Sequence, residues 1–326
     1  MAWKNIKQQT FADDLLVVHS AIEELDDVKE LIDWFEIEKL LENIHNKRRG
    51  EKAWPPLMMF KALLLQSWYN LSDPAIEKQL ARDLLFRRFV DLSISESVPD
   101  HSTFWRFRNL LEKEGLFEKL LRCINQQLTN KGLFIKKGEV SIIDASVIEA
   151  KQCRPKKNKE GKNTQDPEAA YNVKNGSDGR RKTTYGFKVH ANVDEDGFIK
   201  TYDYTKGNVH DSKVFESLLT GFEEEIYADS AYASAATNDL LDKKHITNKV
   251  LKRAYRNKPL TDEDKSINRQ NSGTRSIVER TFGVLKLHYG MSKGRYLGLK
   301  RNKARFGVMS IAHNIKRGMS IQLAMT

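Results

Sequence analysis

The chain has 326 residues, 40% of them hydrophobic, and 55 Lys and Arg against 44 Asp and Glu for a net charge of +11. That length supports one large domain or two ordinary ones, each with its own core. No run of about 18 apolar residues is present to cross a bilayer, and no charged-then-apolar leader opens the chain, so a soluble cytoplasmic protein is expected. Cys123 and Cys153 stand alone without C-x-x-C spacing, which argues against structural zinc and for a reducing compartment.

Residues 1–139 are nearly neutral, with 21 cations against 22 anions, and their apolar spacing is helical throughout. Leu25, Val28, Leu31, Ile32 and Phe35 predict one helix from Glu23 to Leu41, closed by a basic turn at Asn46–Gly50. Pro55-Pro56 opens a second helix with Leu57, Phe60, Leu64 and Trp68 inward. Ser72-Asp73-Pro74 is a helix start, a capping residue followed by Pro in the first turn, and Ile76, Leu80 and Leu84 continue from it. Pro99-Asp100 starts another helix, with Phe104, Phe107 and Leu111 inward and His101, Thr103, Arg106 and Arg108 outward. Short helices and tight turns suggest a helix-turn-helix-like module. Those four outward residues are its candidate DNA contacts, against the alternative of a purely structural or dimerising bundle.

From Glu139 the pattern turns to strands. Val140–Ile148 is an apolar run that reads as a central strand, interrupted by Asp144. Residues 151–182 hold ten Lys and Arg and few apolar residues and predict a mobile basic loop, in which Lys156–Lys159 reads as a contact to nucleic-acid backbone. Tyr185–Val193 alternates with period two, Asp194–Gly197 turns the chain, and Phe198–Tyr204 returns. A helix over Asp211–Leu219, a strand over Ile226–Ala228, a helix over Ala233–Leu241 and a strand over Ile246–Val250 follow. This order predicts an α/β ribonuclease-H-like core, a mixed five-stranded sheet with flanking helices, over residues 140–326. Residues 280–326 carry ten cations and no anion, a basic helical tail suited to a polyanion.

Three carboxylates stand where such a fold would gather them. A lone carboxylate at Asp144 in a buried strand is costly unless paired, protonated or metal-bound. Asp229 ends the Ile226–Ala228 strand before small residues. Glu279 shares one helical face with Arg275 and Lys286, opposite an apolar stripe of Val278, Phe282, Leu285 and Tyr289. Two acidic strand ends and a helical Glu suit two Mg²⁺ ions, with Mn²⁺ able to substitute, working on phosphodiesters. Asp144 would then bridge both ions, with Asp229 on one and Glu279 on the other. Simpler readings stand beside this one: a hydrogen-bonded core Asp144, a turn-forming Asp229, and a capping box Ser276-x-x-Glu279 that starts a helix. Arg275 and Lys286 would then be ordinary surface cations. His210 at a strand end is read as support behind the site rather than a reacting group. Tyr232 and Trp105 are offered either to bases or to the core.

Arg275-x3-Glu279-x6-Lys286, with Ile143–Ser146, Gly207–Asp211, Tyr227–Tyr232 and Pro99–Phe104 in the same order, resembles the DDE transposases of bacterial insertion sequences, in particular the insertion-sequence-five family. The likeness runs from about residue 50 to the end. Ser272 stands where that pattern has Tyr. The resemblance implies cleavage of transposon-end DNA and 3′-OH strand transfer into target DNA, with Arg275 and Lys286 gripping phosphates of the element's end. It also implies double-stranded DNA partners, terminal inverted repeats and target, a homodimer that pairs two ends, and a bacterial cytoplasmic protein carried on the nucleoid when bound. A metal-dependent nuclease of the same fold without strand transfer is the alternative.

Overall fold

A computed structural model describes residues 19–44, 52–134, 139–154, 156–157, 159–161, 164–175, 180–254 and 259–325. The predicted turn at Asn46–Gly50 and Asn158 of the Lys156–Lys159 run lie outside them. Two compact units emerge, residues 1–133 with 304–326, and residues 134–303.

The first unit is helical. The helix predicted from Glu23 to Leu41 is two, α1 (Asp26–Leu31) and α2 (Trp34–Leu41), because Asp33 leaves helical geometry and caps α2 through Phe35 N–H. Pro55 and Pro56 open α3 (Pro56–Trp68), and Ser72 caps α4 (Asp73–Arg82). Asp83 then breaks the predicted continuation to Leu84, capping the short α5 (Leu84–Phe89) at Phe86 N–H. Asp100 caps α6 (His101–Lys113), and α7 (Leu116–Asn130) follows. The last element, α10 (Leu299–Met325), supplies this unit from Ala304 onward. Phe306, Ile311, Ala312 and Ile315 are fully buried. The Ala312 carbonyl accepts from the Trp68 indole, and Asn314 donates to Asn125 of α7. The stretch expected to be a basic tail of the catalytic part is thus, past residue 303, a core helix of the other unit. Its apolar residues outweigh its scattered cations.

The second unit is a six-stranded mixed sheet: β1 (Val140–Glu149), β2 (Ala170–Asn175), β3 (Arg181–Val193), β4 (Ile199–Lys206), β5 (Glu225–Ala228) and β6 (Thr247–Asn248). The path β4-β3-β1-β5-β6, antiparallel and then parallel, is the ribonuclease-H-like arrangement. The sixth strand, β2, lies within the residues expected to be loop and pairs with the first half of β3. Period two is present there in Tyr171 and Val173, but both face solvent, so no buried stripe marked it. Gly186 lets β3 cross β1 closely, since a Cβ there would meet the Ile148 carbonyl at 1.9 Å. The β3–β4 turn is held by Asp194, which accepts from the Asp196 and Phe198 N–H groups, with Gly197 at φ +81°. Residues Asp211–Val214 and Glu216–Leu218 form 3₁₀ turns in place of the predicted helix. Helices α8 (Ala235–Lys243) and α9 (Asp262–His288) complete the unit.

Candidate active site

Parallel pairing sets the first two carboxylates side by side. Ile143 on β1 is opposite Ala228 on β5, so Asp144 and Asp229 are the next residues of two neighbouring strands. Asp229 has just left the sheet, and its Oδ1 accepts from Ser230 N–H to start a 3₁₀ turn. The turn-forming role and a place in the site are therefore compatible. Asp144 Oδ1 accepts from Ala145 N–H at 2.7 Å. Burial pushes its carboxyl up to about 6, against the opposing pull of Arg275.

Helix α9 brings the third carboxylate. Its start is fixed by a capping box of Thr261 and Asp264, far upstream of Ser276. This overturns the capping reading of Ser276 and Glu279, because Glu279 lies mid-helix and Ser276 bonds the Gly273 carbonyl instead. Val278, Phe282, Leu285 and Tyr289 are buried, and Arg275, Glu279 and Lys286 form the stripe beside them rather than opposite, so Arg275 is half-buried while Glu279 and Lys286 are exposed. Arg275 is the hub of the site. Its guanidinium reaches Asp144 at 3.6 Å and Asp229 at 3.7 Å and is hydrogen-bonded to Glu279. Three carboxylates from β1, the end of β5 and α9 thus share one mostly buried cation. Coulomb attraction to that cation offsets part of the repulsion among them.

Among the described residues no three His, Cys, Asp or Glu side chains converge as a ready metal-binding group. The carboxylates meet on the Arg275 guanidinium rather than on one another. The chemistry of the set still suits a hard divalent cation, being all oxygen with no thiolate or imidazole among the three.

Other candidates are placed differently. Arg108 is not an outward DNA contact: it is buried, 3% exposed, and paired with Asp73 at 2.5 Å and with Gln66. Residue 108 lies one turn after Phe104 and one turn before Leu111, on the inward side of α6. His101 and Arg106 are exposed, His101 paired to Glu77 and Arg106 bonded to Ser102 and Thr103 of its own helix. His210 caps the turn at Asp211–Val214 through Ser212. Its neighbour Asp211 is the residue that joins a buried cluster, accepting from Lys188 at 2.7 Å with His190 at 3.9 Å. Tyr232 is fully buried, and Asp211, Asp144 and Asp229 all bear on its hydroxyl. Trp105 remains 38% exposed.

Sequence inspection missed Lys188, His190 and Asn192, which alternate along β3 as a solvent face would. All three are buried, because the second face of the sheet is covered too: Asn192 donates to the Leu218 carbonyl and Lys188 to that of Val209. The available signal was the polar type itself, Lys, His and Asn at every second position in a strand next to Asp144. Also missed were Lys174 and Lys182, whose charges bear on Lys286.

Comparison with known families gives two matches. The model described as a transposase DDE domain covers residues 135–315, more than half of the chain. The model described as a transposase domain (DUF772) covers residues 15–110.

Proposed function

The chain belongs to the DDE transposases of insertion sequences, DNA-cleaving and strand-transferring enzymes, and on that premise we propose that Asp144, Asp229 and Glu279 are its catalytic metal ligands. The observation that carries this reading is the meeting of all three carboxylates on Arg275. The family generally works with divalent cations, and an all-carboxylate set suits Mg²⁺, with Mn²⁺ as a substitute. When bound, two such ions would supply charge stabilisation to the attacking and leaving oxygens of a phosphodiester.

The protein's own groups have separable tasks. Asp144 and Asp229 are fixed by adjacent strands, so their spacing is set by the sheet rather than by side-chain freedom. Arg275 offers a planar fork that matches a phosphate, and at this position it would hold the scissile strand against the carboxylates. Lys286, on the same face of α9, would take a neighbouring phosphate as a point charge. The substrates are the element's terminal inverted repeats and target DNA, and a homodimer would pair two ends. His101, Thr103 and Arg106 remain candidate contacts of the helical unit.

The test incubates the protein with the element's end sequence, a target plasmid and Mg²⁺, reading cleavage and joining separately. Asp144→Asn, Asp229→Asn and Glu279→Gln should each abolish both while leaving DNA binding intact, since shape is kept and charge is lost. Any one variant that kept substantial activity would remove its residue from the ligand set. Cleavage without joining by the wild type would return the protein to the nuclease alternative.

A further inference from the structure

Lys174 on β2 and Lys182 on β3 are directly opposite each other in an antiparallel pair, and both are exposed. Like charges in that register repel and weaken a hairpin. Among the described residues neither ammonium has an ion-pair partner, and nor does that of Lys286 on α9. The three nevertheless sit within each other's field. Burial is the main cause that holds the Lys286 ammonium below its ordinary range, and Lys174 and Lys182 add to it while Asp144 opposes it. Lys174 is also among the cations that pull on the Asp144 carboxyl. Two strands and a helix thus gather three cations, none with an ion-pair partner among the described residues, around the approach to Asp144. Such an arrangement suits an external polyanion.

We propose that Lys174 and Lys182 of the β2–β3 hairpin, together with Lys286, form a phosphate cradle that holds the backbone of one DNA strand beside Asp144. The proposal rests on the reading of this site as a DNA-strand-transferring one. It adds a hairpin to the DNA-contacting surface that the resemblance assigned to α9 alone. The contact is to phosphates, so it is indifferent to base sequence.

The probe is a fluorescein-labelled random-sequence duplex, with affinity followed by anisotropy over a series of salt concentrations. Each phosphate neutralised contributes about −0.9 to the slope of log K against log salt, so Lys174→Thr/Lys182→Thr should flatten that slope by about two units and Lys286→Ala by about one. Lys182→Glu supplies the reading that a damaged fold could not imitate. It turns a repelling pair into an attracting one, so it should melt higher than wild type and bind duplex more weakly. A slope unchanged in both hairpin variants, with wild type binding normally, would overturn the cradle and leave the active-site reading standing. Absence of salt-dependent duplex binding by the wild type would overturn both.

Discussion

Asp144 shows how the site is held at the expense of the fold. Its carboxyl has an ordinary value of 3.8 and is lifted to about 6 by burial, more than Arg275 and the Ala145 N–H pull it down. A carboxyl raised in this way binds its proton more tightly in the native state than in the unfolded one. Its contribution is therefore favourable at low pH and is lost as pH rises from 3.8 through about 6. Two pKa units correspond to about 3 kcal/mol as an upper bound. In metal-free buffer with a chelator, Asp144→Asn should melt above wild type at pH 8 and level with it below pH 3.8. Thermal unfolding at the two pH values checks this. An equal gain at both would assign the effect to shape rather than charge, and no gain at pH 8 would mean that Arg275 neutralises Asp144 fully.

At the level of elements, α6 separates two arginines that the sequence presents alike. Arg106 is exposed and bonds hydroxyls of its own helix, whereas Arg108 closes a buried network with Asp73 and Gln66. Removing Arg108 takes its guanidinium from the half-buried Asp73, which keeps Gln66 as a donor, a loss of up to about 3 kcal/mol. Removing Arg106 should change stability by no more than about 0.5 kcal/mol. Urea unfolding of Arg108→Ala and Arg106→Ala measures the difference, and duplex anisotropy on the folded proteins should find weaker binding only in Arg106→Ala. Equal stabilities would contradict the buried pair. Helix α9 works by the opposite logic. A strong apolar stripe anchors it through Val278, Phe282 and Leu285, and the stripe beside it carries the charged residues at the edge of the buried face.

The whole molecule is divided differently from its sequence. Residues 304–326 belong with residues 1–133, although 170 residues of the other unit separate them in the chain (134–303). A fragment ending at residue 139 therefore lacks the helix that buries Phe306, Ile311 and Ile315 and caps the Trp68 indole. That fragment should unfold without cooperativity, whereas the same fragment with residues 304–326 joined by a flexible linker should show a sharp thermal transition in circular dichroism. A cooperative transition in the shorter fragment would show that the C-terminal helix is dispensable to the core.

The sequence by itself determined the elements with strong local signals. Asp100, Ser72 and Pro55-Pro56 marked helix starts through capping and proline geometry, and the apolar stripe of α9 fixed which face Arg275, Glu279 and Lys286 would share. The order of strands and helices was enough to predict a ribonuclease-H-like sheet, and a lone Asp in an apolar strand was enough to single out Asp144. Where local and tertiary signals differ, only the tertiary structure decided. The solvent-like alternation of Lys188, His190 and Asn192 is buried because a second layer covers that face, which period two cannot report. The strand Ala170–Asn175 exists through pairing with β3, although its exposed side chains give no core signal. Arg108 turns inward because Asp73, 35 residues earlier, neutralises it there. The meeting of Asp144, Asp229 and Glu279 on one guanidinium depends on contacts between segments up to 135 residues apart, between positions 144 and 279. Charge and spacing in the chain could nominate these residues; the register of β1 and β5 set the two aspartates side by side, and the packing of α9 brought Glu279 to them.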